Sequence, residues 1–246
     1  MERGSGTQGR HLPVMKIVVL IALIAALYSA YEAVRIRPLL QASQRLIEAA
    51  KPFARETGGS AILVLGDSTA LGVGASKSED TVAGRVAALH PEWSVENYAV
   101  SGAQIEDLTA QFAQAQREQY ALAIIHIGAN DIIRFKSAAS AARDLEPLLA
   151  SIKEKSEKVV FLTAGNVGGS TFFPAILNPF YERRTLHYHA AFENIAKRLG
   201  IVYVNLYAKP ENDPFLKDPL RFFSADGLHP SSEGYELWFE KVRAEI

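Results

Sequence analysis

The sequence predicts an α/β protein: a three-layer α/β/α sandwich around a five-stranded parallel sheet in the flavodoxin-like order 2-1-3-4-5, preceded by an N-terminal transmembrane helix. Three observations carry this. Strand-like and helix-like segments alternate five times along the chain, the pattern of a sheet wrapped by crossover helices with right-handed connections. Four of the five strand segments are nearly continuous apolar or β-branched runs, as strands buried on both faces require. Ahead of them stands one apolar stretch long enough to cross a bilayer.

The chain begins with a basic, glycine-bearing leader over residues 1–11, carrying Arg3 and Arg10. Residues 12–31 follow as an apolar segment with a single charge, Lys16, placed where a long side chain can snorkel. At ~1.5 Å per residue, twenty residues span roughly 30 Å, the thickness of a hydrocarbon core. A cleaved signal peptide is the rival reading. Cleavage needs small residues at two positions separated by one, and each such pair from Ala26 to Ala33 includes Tyr, Leu or Glu. A retained anchor is therefore expected, with the body outside the cytoplasm.

Residues 32–59 read as an amphipathic helical stalk or linker. Leu39, Leu46, Ile47, Ala50 and Phe53 recur at helical spacing through Glu56, before Gly58-Gly59. Such a helix could stand free, rest on headgroups or pack on the body. The globular domain occupies 60–246. Its strands are expected at Ala61–Leu65, Ser94–Val100, Ala121–Gly128, Val159–Ala164 and Ile201–Tyr207. Glu96 and Asn97 suit the second to an edge. Helices are expected near Glu79–Leu89, with a Ser76/Glu79 capping box, then Ala103–Gln119, Ala138–Lys155, Pro179–Leu199 and Ser232–Ala244. Ala208–Ser231 is a long loop, and loops of that length are usually functional or disordered.

Composition narrows the chemistry. With 26 Lys+Arg against 27 Asp+Glu, the net charge of −1 gives no electrostatic basis for nucleic-acid binding. The 48 % hydrophobic content supplies a full core and rules out disorder as the main state. The absence of cysteine excludes disulfides, thiolate metal sites, iron–sulfur clusters and a cysteine nucleophile.

Ligands of open parallel sheets bind beyond the carboxyl ends of the strands, where strand order reverses. Four polar, glycine-bearing clusters are predicted on that rim: Gly66-Asp67-Ser68-Thr69, Ser101-Gly102-Ala103, Gly128-Ala129-Asn130-Asp131 and Asp226-Gly227-Leu228-His229-Pro230. Nucleophilic acyl transfer fits them. Ser68 is a poor nucleophile until a base takes its proton. His229 can be that base, and Asp226 can fix its tautomer. The N–H groups of Ser68 and Gly102 with the Asn130 amide would form an oxyanion hole. The first cluster fits neither the Walker nor the dinucleotide glycine pattern, which argues against a phosphate cradle. Asp67 and Asp131 read as turn-fixing carboxylates and His126 as a core histidine. His187 and His189 read as solvated, and the pair Arg183-Arg184 as solvent-facing, with contact to an anionic headgroup or substrate as the alternative. Phe172, Phe173, Phe222 and Phe223 read as core, with an acyl-binding wall as the alternative.

These blocks, in this order, resemble the GDSL esterase/lipase (SGNH hydrolase) family over roughly Ser60 to Ile246. Gly66-Asp67-Ser68 matches its nucleophile block, Gly102 its second, Gly128-Ala129-Asn130-Asp131 its G-x-N-D block and Asp226 to Pro230 its D-x-x-H-P block. Thr69 departs from the usual Leu or Ile, which bears on pocket lining. Ala70 breaks the general lipase pattern G-x-S-x-G. The resemblance implies a serine hydrolase without metal or cofactor, acting on esters or thioesters of a small molecule or lipid through an acyl-serine. The alternatives are an O-acetyl esterase of envelope carbohydrate and an inactive anchored binding domain. Acyl length, leaving group and oligomeric state are not encoded in any motif.

Overall fold

A computed structural model describes residues 11–246; the leader expected over 1–11, with Arg3 and Arg10, falls outside them but for its last position. The sheet has five parallel strands in the order β2-β1-β3-β4-β5, as the sequence predicts. These are β1 Ala61–Gly66, β2 Ser94–Asn97, β3 Tyr120–His126, β4 Ser156–Leu162 and β5 Val202–Val204. β1 and β3 are neighbours, with Gly66 opposite His126, so the order reverses between them.

The helices, in chain order, are α1 His11–Ala49, α2 Ser68–Leu71, α3 Val82–Leu89, α4 Leu108–Phe112, α5 Ala129–Ile133, α6 Ala138–Glu154, α7 Asn178–Leu199, α8 Pro214–Lys217, α9 Pro219–Phe222 and α10 Ser232–Arg243. Side chains alternate across each strand. Leu63 and Leu65 therefore enter one core with Leu145 and Leu149 of α6 and Phe192 of α7. Ile62 and Val64 enter the other, with Val86 of α3 and Tyr235 and Trp238 of α10. Each fully buried Leu or Phe contributes roughly 1.5–3 kcal/mol of transfer free energy, so both faces hold the sheet rigid beneath its rim.

Several boundaries differ from the sequence expectation, each for a local reason. Strand β2 stops at Asn97, whose side-chain oxygen accepts the Ala99 N–H at 3.1 Å and turns the chain. The cap of α3 is Thr81, accepting the Gly84 N–H at 3.0 Å, and not Ser76. The helix expected over Ala103–Gln119 shrinks to α4 and a preceding 3₁₀ turn; the Gln116 N–H instead meets the Glu96 carboxylate at 3.2 Å. The long loop contains α8 and α9, both opened by proline at a position where its missing N–H costs nothing.

The segments read as anchor and stalk form one helix, α1, of 39 residues. It ends at Ala49, short of Glu56, because Pro52 disfavours helix at the residue before it. Arg55 then bridges to Val95 at the edge of β2. The stretch from Val14 on is apolar enough to cross a membrane by length and composition, and its most hydrophobic window is unburied. Further along, Arg35, Ile36, Leu39, Ala42, Ser43 and Leu46 turn away from solvent at spacings of three and four. Of the three placements open for the stalk, the structure has it packed on the body.

Candidate active site

Strand β1 delivers Ser68 to the rim. Gly66 has φ +149°, and a Cβ there would lie 2.0 Å from the His126 carbonyl oxygen, so only glycine permits this approach of β1 to β3. The Gln111 amide of α4 clamps the same residue, accepting the Gly66 N–H at 2.8 Å and donating to its carbonyl at 2.9 Å. Asp67 caps α2: its carboxylate accepts the Thr69 N–H at 2.9 Å and the Thr69 hydroxyl at 2.6 Å. The threonine at the family's Leu/Ile position thus gives two donors to one oxygen of a buried carboxylate whose pKa burial pushes up. Gly72, at φ +98°, closes the turn behind the serine.

The last loop brings the imidazole. His229 Nε2 lies 2.9 Å from Ser68 Oγ, and His229 Nδ1 lies 2.6 Å from Asp226 Oδ2. The other carboxylate oxygen accepts the N–H groups of Leu228 and His229, each at 3.0 Å, and the Ser224 hydroxyl at 3.3 Å. Burial alone would raise the Asp226 pKa. The hydrogen bond and charge of His229 and the two backbone donors outweigh it and hold the carboxyl below its ordinary value. Serine, imidazole and carboxylate are all buried, so each interaction acts with little screening.

Gly102 and Asn130 face the same cavity as Ser68 and His229. The N–H groups of Ser68 and Gly102 have no acceptor among the described residues. Gly102 has φ +82°, a left-handed turn that leaves its amide free of the sheet ladder. The Asn130 amide donates to the Ala103 carbonyl at 3.0 Å, which spends one of its two N–H bonds and fixes the direction of the other. Asp131 ties this block to the second by accepting the Ile105 N–H at 3.2 Å. Its burial pushes the pKa up to about 6, against the pull of that bond and of Lys136. Both aspartates read as turn-fixing do fix turns.

The cavity is about 190 Å³, more than ten times the roughly 10–15 Å³ that a single water needs. Its apolar wall includes Val167, Leu206, Phe215, Phe223, Leu228 and Trp238, and Ser43 and Ile47 of α1 line it from outside the globular domain. Of the four phenylalanines considered for such a wall, Phe223 lines it. Phe173 packs on Tyr181 at 4.5 Å, Phe172 on Phe173, and Phe222 on Phe215.

An imidazole within hydrogen-bond reach of an alcohol, with its far nitrogen held by a carboxylate, can take the alcohol's proton as the oxygen attacks a carbonyl carbon. The match to the GDSL-like Lipase/Acylhydrolase family model covers residues 64–237, from the middle of β1 through the His229 loop. The chain belongs to this family. A GDSL-like esterase from Mycobacterium tuberculosis is 27 % identical over 185 residues, which is 72 % of this chain and 58 % of that relative's length. The fold is shared with two solved structures. An extracellular lipase from Streptomyces rimosus has TM-score 0.62 at 18 % identity, covering 76 % of this chain and all of that one. A catalytic mutant of an acetylxylan esterase from Geobacillus stearothermophilus has TM-score 0.57 at 19 % identity, covering 78 % and 95 %.

Three further features of this GDSL-family chain depart from, or lie outside, the sequence reading. His189 is buried, its Nδ1 2.6 Å from the Tyr203 hydroxyl and its Nε2 3.0 Å from the Ala164 carbonyl, and only His187 faces solvent. Burial pushes the His189 pKa down to about 4. Arg184 donates to the carbonyls of Ile132 and Lys136 while Arg183 stays exposed. His126 is a core histidine as expected, with burial pushing its pKa down to about 3. Gln111 and Ser224 were not singled out from the sequence. No local pattern marks either one, although their partners, Gly66 and Asp226, lie 45 and two residues away within the site blocks.

Proposed function

We propose that this protein is a membrane-anchored serine hydrolase that cleaves carboxylic ester or thioester bonds through an acyl-serine. The observation that carries the reading is the continuous line from Ser68 Oγ through the His229 imidazole to the Asp226 carboxylate, at 2.9 and 2.6 Å. Ser68 Oγ attacks the acyl carbon while His229 Nε2 accepts its proton. Asp226 holds the Nδ1–H tautomer and stabilises the imidazolium. The oxyanion forms beside the N–H groups of Ser68 and Gly102 and the free Asn130 N–H. Collapse expels the alkoxide or thiolate, which leaves with the proton from His229. A water then repeats the sequence on the acyl-serine and releases the acid.

The apolar wall and the tether both support an acyl chain delivered from lipid, as in an esterase or lysophospholipase. Residues 12–31 would be the anchor and residues 60–246 the hydrolase domain on its extracytoplasmic side. A panel of p-nitrophenyl esters from acetyl to palmitoyl tests the substrate class. Turnover rising with chain length through the medium acyls is expected. Activity confined to acetyl would defeat the lipid reading and favour an O-acetyl esterase of envelope carbohydrate, and a folded protein with no turnover would favour a binding domain.

A further inference from the structure

Beside the anchor, the body presents apolar side chains to solvent. Ile176 is 74 % exposed, Phe135 61 % and Phe180 46 %, with Leu177 between them in sequence. The Phe135 and Phe180 rings are 5.7 Å apart, and the Arg184 guanidinium lies over both at 5.6 and 5.7 Å; Ile176 and Leu177 lie on the turn that leads into the helix carrying Phe180. Phe135 has φ +64°, the one non-glycine residue with positive φ among those described. Such a backbone is strained for a bulky residue, and here it holds an aromatic ring in the open. Arg183 is exposed on α7, three residues after Phe180, whereas Arg134, next to Phe135 in the chain, donates to the Gln104 side chain at 2.8 Å.

What covers this surface follows from how α1 is fixed. The Ile176 main chain approaches the Tyr28 hydroxyl, near the end of the apolar run. Two turns on, the Arg35 guanidinium donates to the carbonyls of Thr171 and Phe172 at 2.8 and 2.9 Å. The segment from Thr171 to Ile176 is thus tied to the helix at two heights. A bilayer that encloses residues 12–31 has its boundary at Tyr28 and Tyr31, where amphipathic aromatic rings settle. That is the level of Ile176.

We infer that Phe135, Ile176, Leu177 and Phe180 form a membrane-docking surface that seats the body on the leaflet holding its own anchor, with Arg183 against anionic headgroups. This rests on the anchor reading above. Ser170, which lines the catalytic cavity, is the chain neighbour of Thr171, and Ser43 and Ile47 of α1 line the same cavity. An acyl ester reaches Ser68 from the leaflet surface along the Ser43–Ile47 face of that helix.

The chain has no cysteine, so single-cysteine labelling is unambiguous. Full-length Ile176→Cys, Phe180→Cys, Leu220→Cys and Leu23→Cys would each carry an NBD probe. Each would be reconstituted in phosphatidylcholine–phosphatidylglycerol vesicles with doxyl-lipid quenchers. Leu220 is 96 % exposed on α9, across the sheet from the patch, and serves as the aqueous control. Probes at 176 and 180 should shift blue and lose most of their emission to shallow quenchers, while the probe at 220 should not. If 176 and 180 behave like 220 while 23 is quenched from deep in the bilayer, docking is overturned and the anchor stands. If 23 is unquenched while 176 and 180 are quenched, the body meets lipid without an anchor, which overturns the anchor reading and the docking that rests on it. Water-like emission at all four sites overturns both.

Discussion

His229 Nε2 lies 2.9 Å from the hydroxyl oxygen of Ser68, although 161 residues separate the two in the chain. The contact is made by two independent devices. Gly66 and the Gln111 clamp fix the end of β1. The Asp226 loop folds on itself, with the Ser224 N–H bonded to the His229 carbonyl at 2.8 Å and Phe223 bridged to Pro230. A site held from both sides needs little reorganisation when substrate arrives.

Replacing Ser68 by Ala removes the proposed nucleophile and leaves the bonds among its neighbours in place. Ester turnover should fall by about 10⁴-fold or more, with the thermal midpoint within a few degrees of the parent. Assay of p-nitrophenyl ester hydrolysis beside a melting curve checks both.

Asp226→Asn keeps the size of the side chain and loses the charge that orients the imidazole. Turnover should drop by roughly 10³–10⁴-fold. The variant should also be less stable, because an amide cannot replace a carboxylate that meets two backbone N–H groups, a hydroxyl and a ring nitrogen. Steady-state kinetics and urea unfolding would measure the two effects separately.

Asn130→Ala should lower kcat by about 100- to 1000-fold with KM nearly unchanged, the mark of a donor used only as the oxyanion forms. A rise in KM at constant kcat would instead make Asn130 a ground-state contact. The loss of its bond to the Ala103 carbonyl should cost about 1 kcal/mol of stability.

Asp131 sets a pH signature apart from catalysis. Burial raises its pKa from 3.8 to about 6 in the folded chain, so the native state holds this proton more tightly than the unfolded one. Its contribution to stability is therefore greatest below the unfolded value and declines as pH rises through about 6. The shift corresponds to about 2–3 kcal/mol. Asp131→Asn should flatten that part of the stability profile between pH 4 and 7. Urea unfolding across this range is the test, and an unchanged slope would assign the pH dependence to another group.

The sheet order, the family and the four site blocks were legible in the residue order because each rests on local chemistry. Buried parallel strands need unbroken apolar runs, and tight turns at strand ends need glycine beside a polar side chain. Contacts between distant segments were not legible. Nothing near Arg184 shows that its partners are the carbonyls of Ile132 and Lys136. Nothing near His189 announces Tyr203. The continuity of α1 was not legible because its apolar first part and amphipathic second part read as separate segments meeting at 31/32; the helix persists even through Pro38, which removes one N–H from the ladder, with its second half braced on the body. The role of Ser43 and Ile47 in the cavity followed from that bracing and from no motif.

Arg35→Ala should loosen this brace by removing the two bonds to the Thr171 and Phe172 carbonyls. KM for medium-chain esters should rise several-fold while acetyl ester turnover changes little, since the helix walls the cavity and does not touch the reacting atoms. An ester panel compared between parent and variant measures the split.

The identity of the nucleophile can be read directly with a fluorophosphonate, which phosphonylates an activated serine and stays on it. Intact mass and peptide mapping of the labelled full-length protein should find one adduct, on the peptide carrying Ser68, and none on Ser68→Ala. A folded protein that takes no label, or one labelled equally well in the Ser68→Ala variant, would contradict the proposed chemistry.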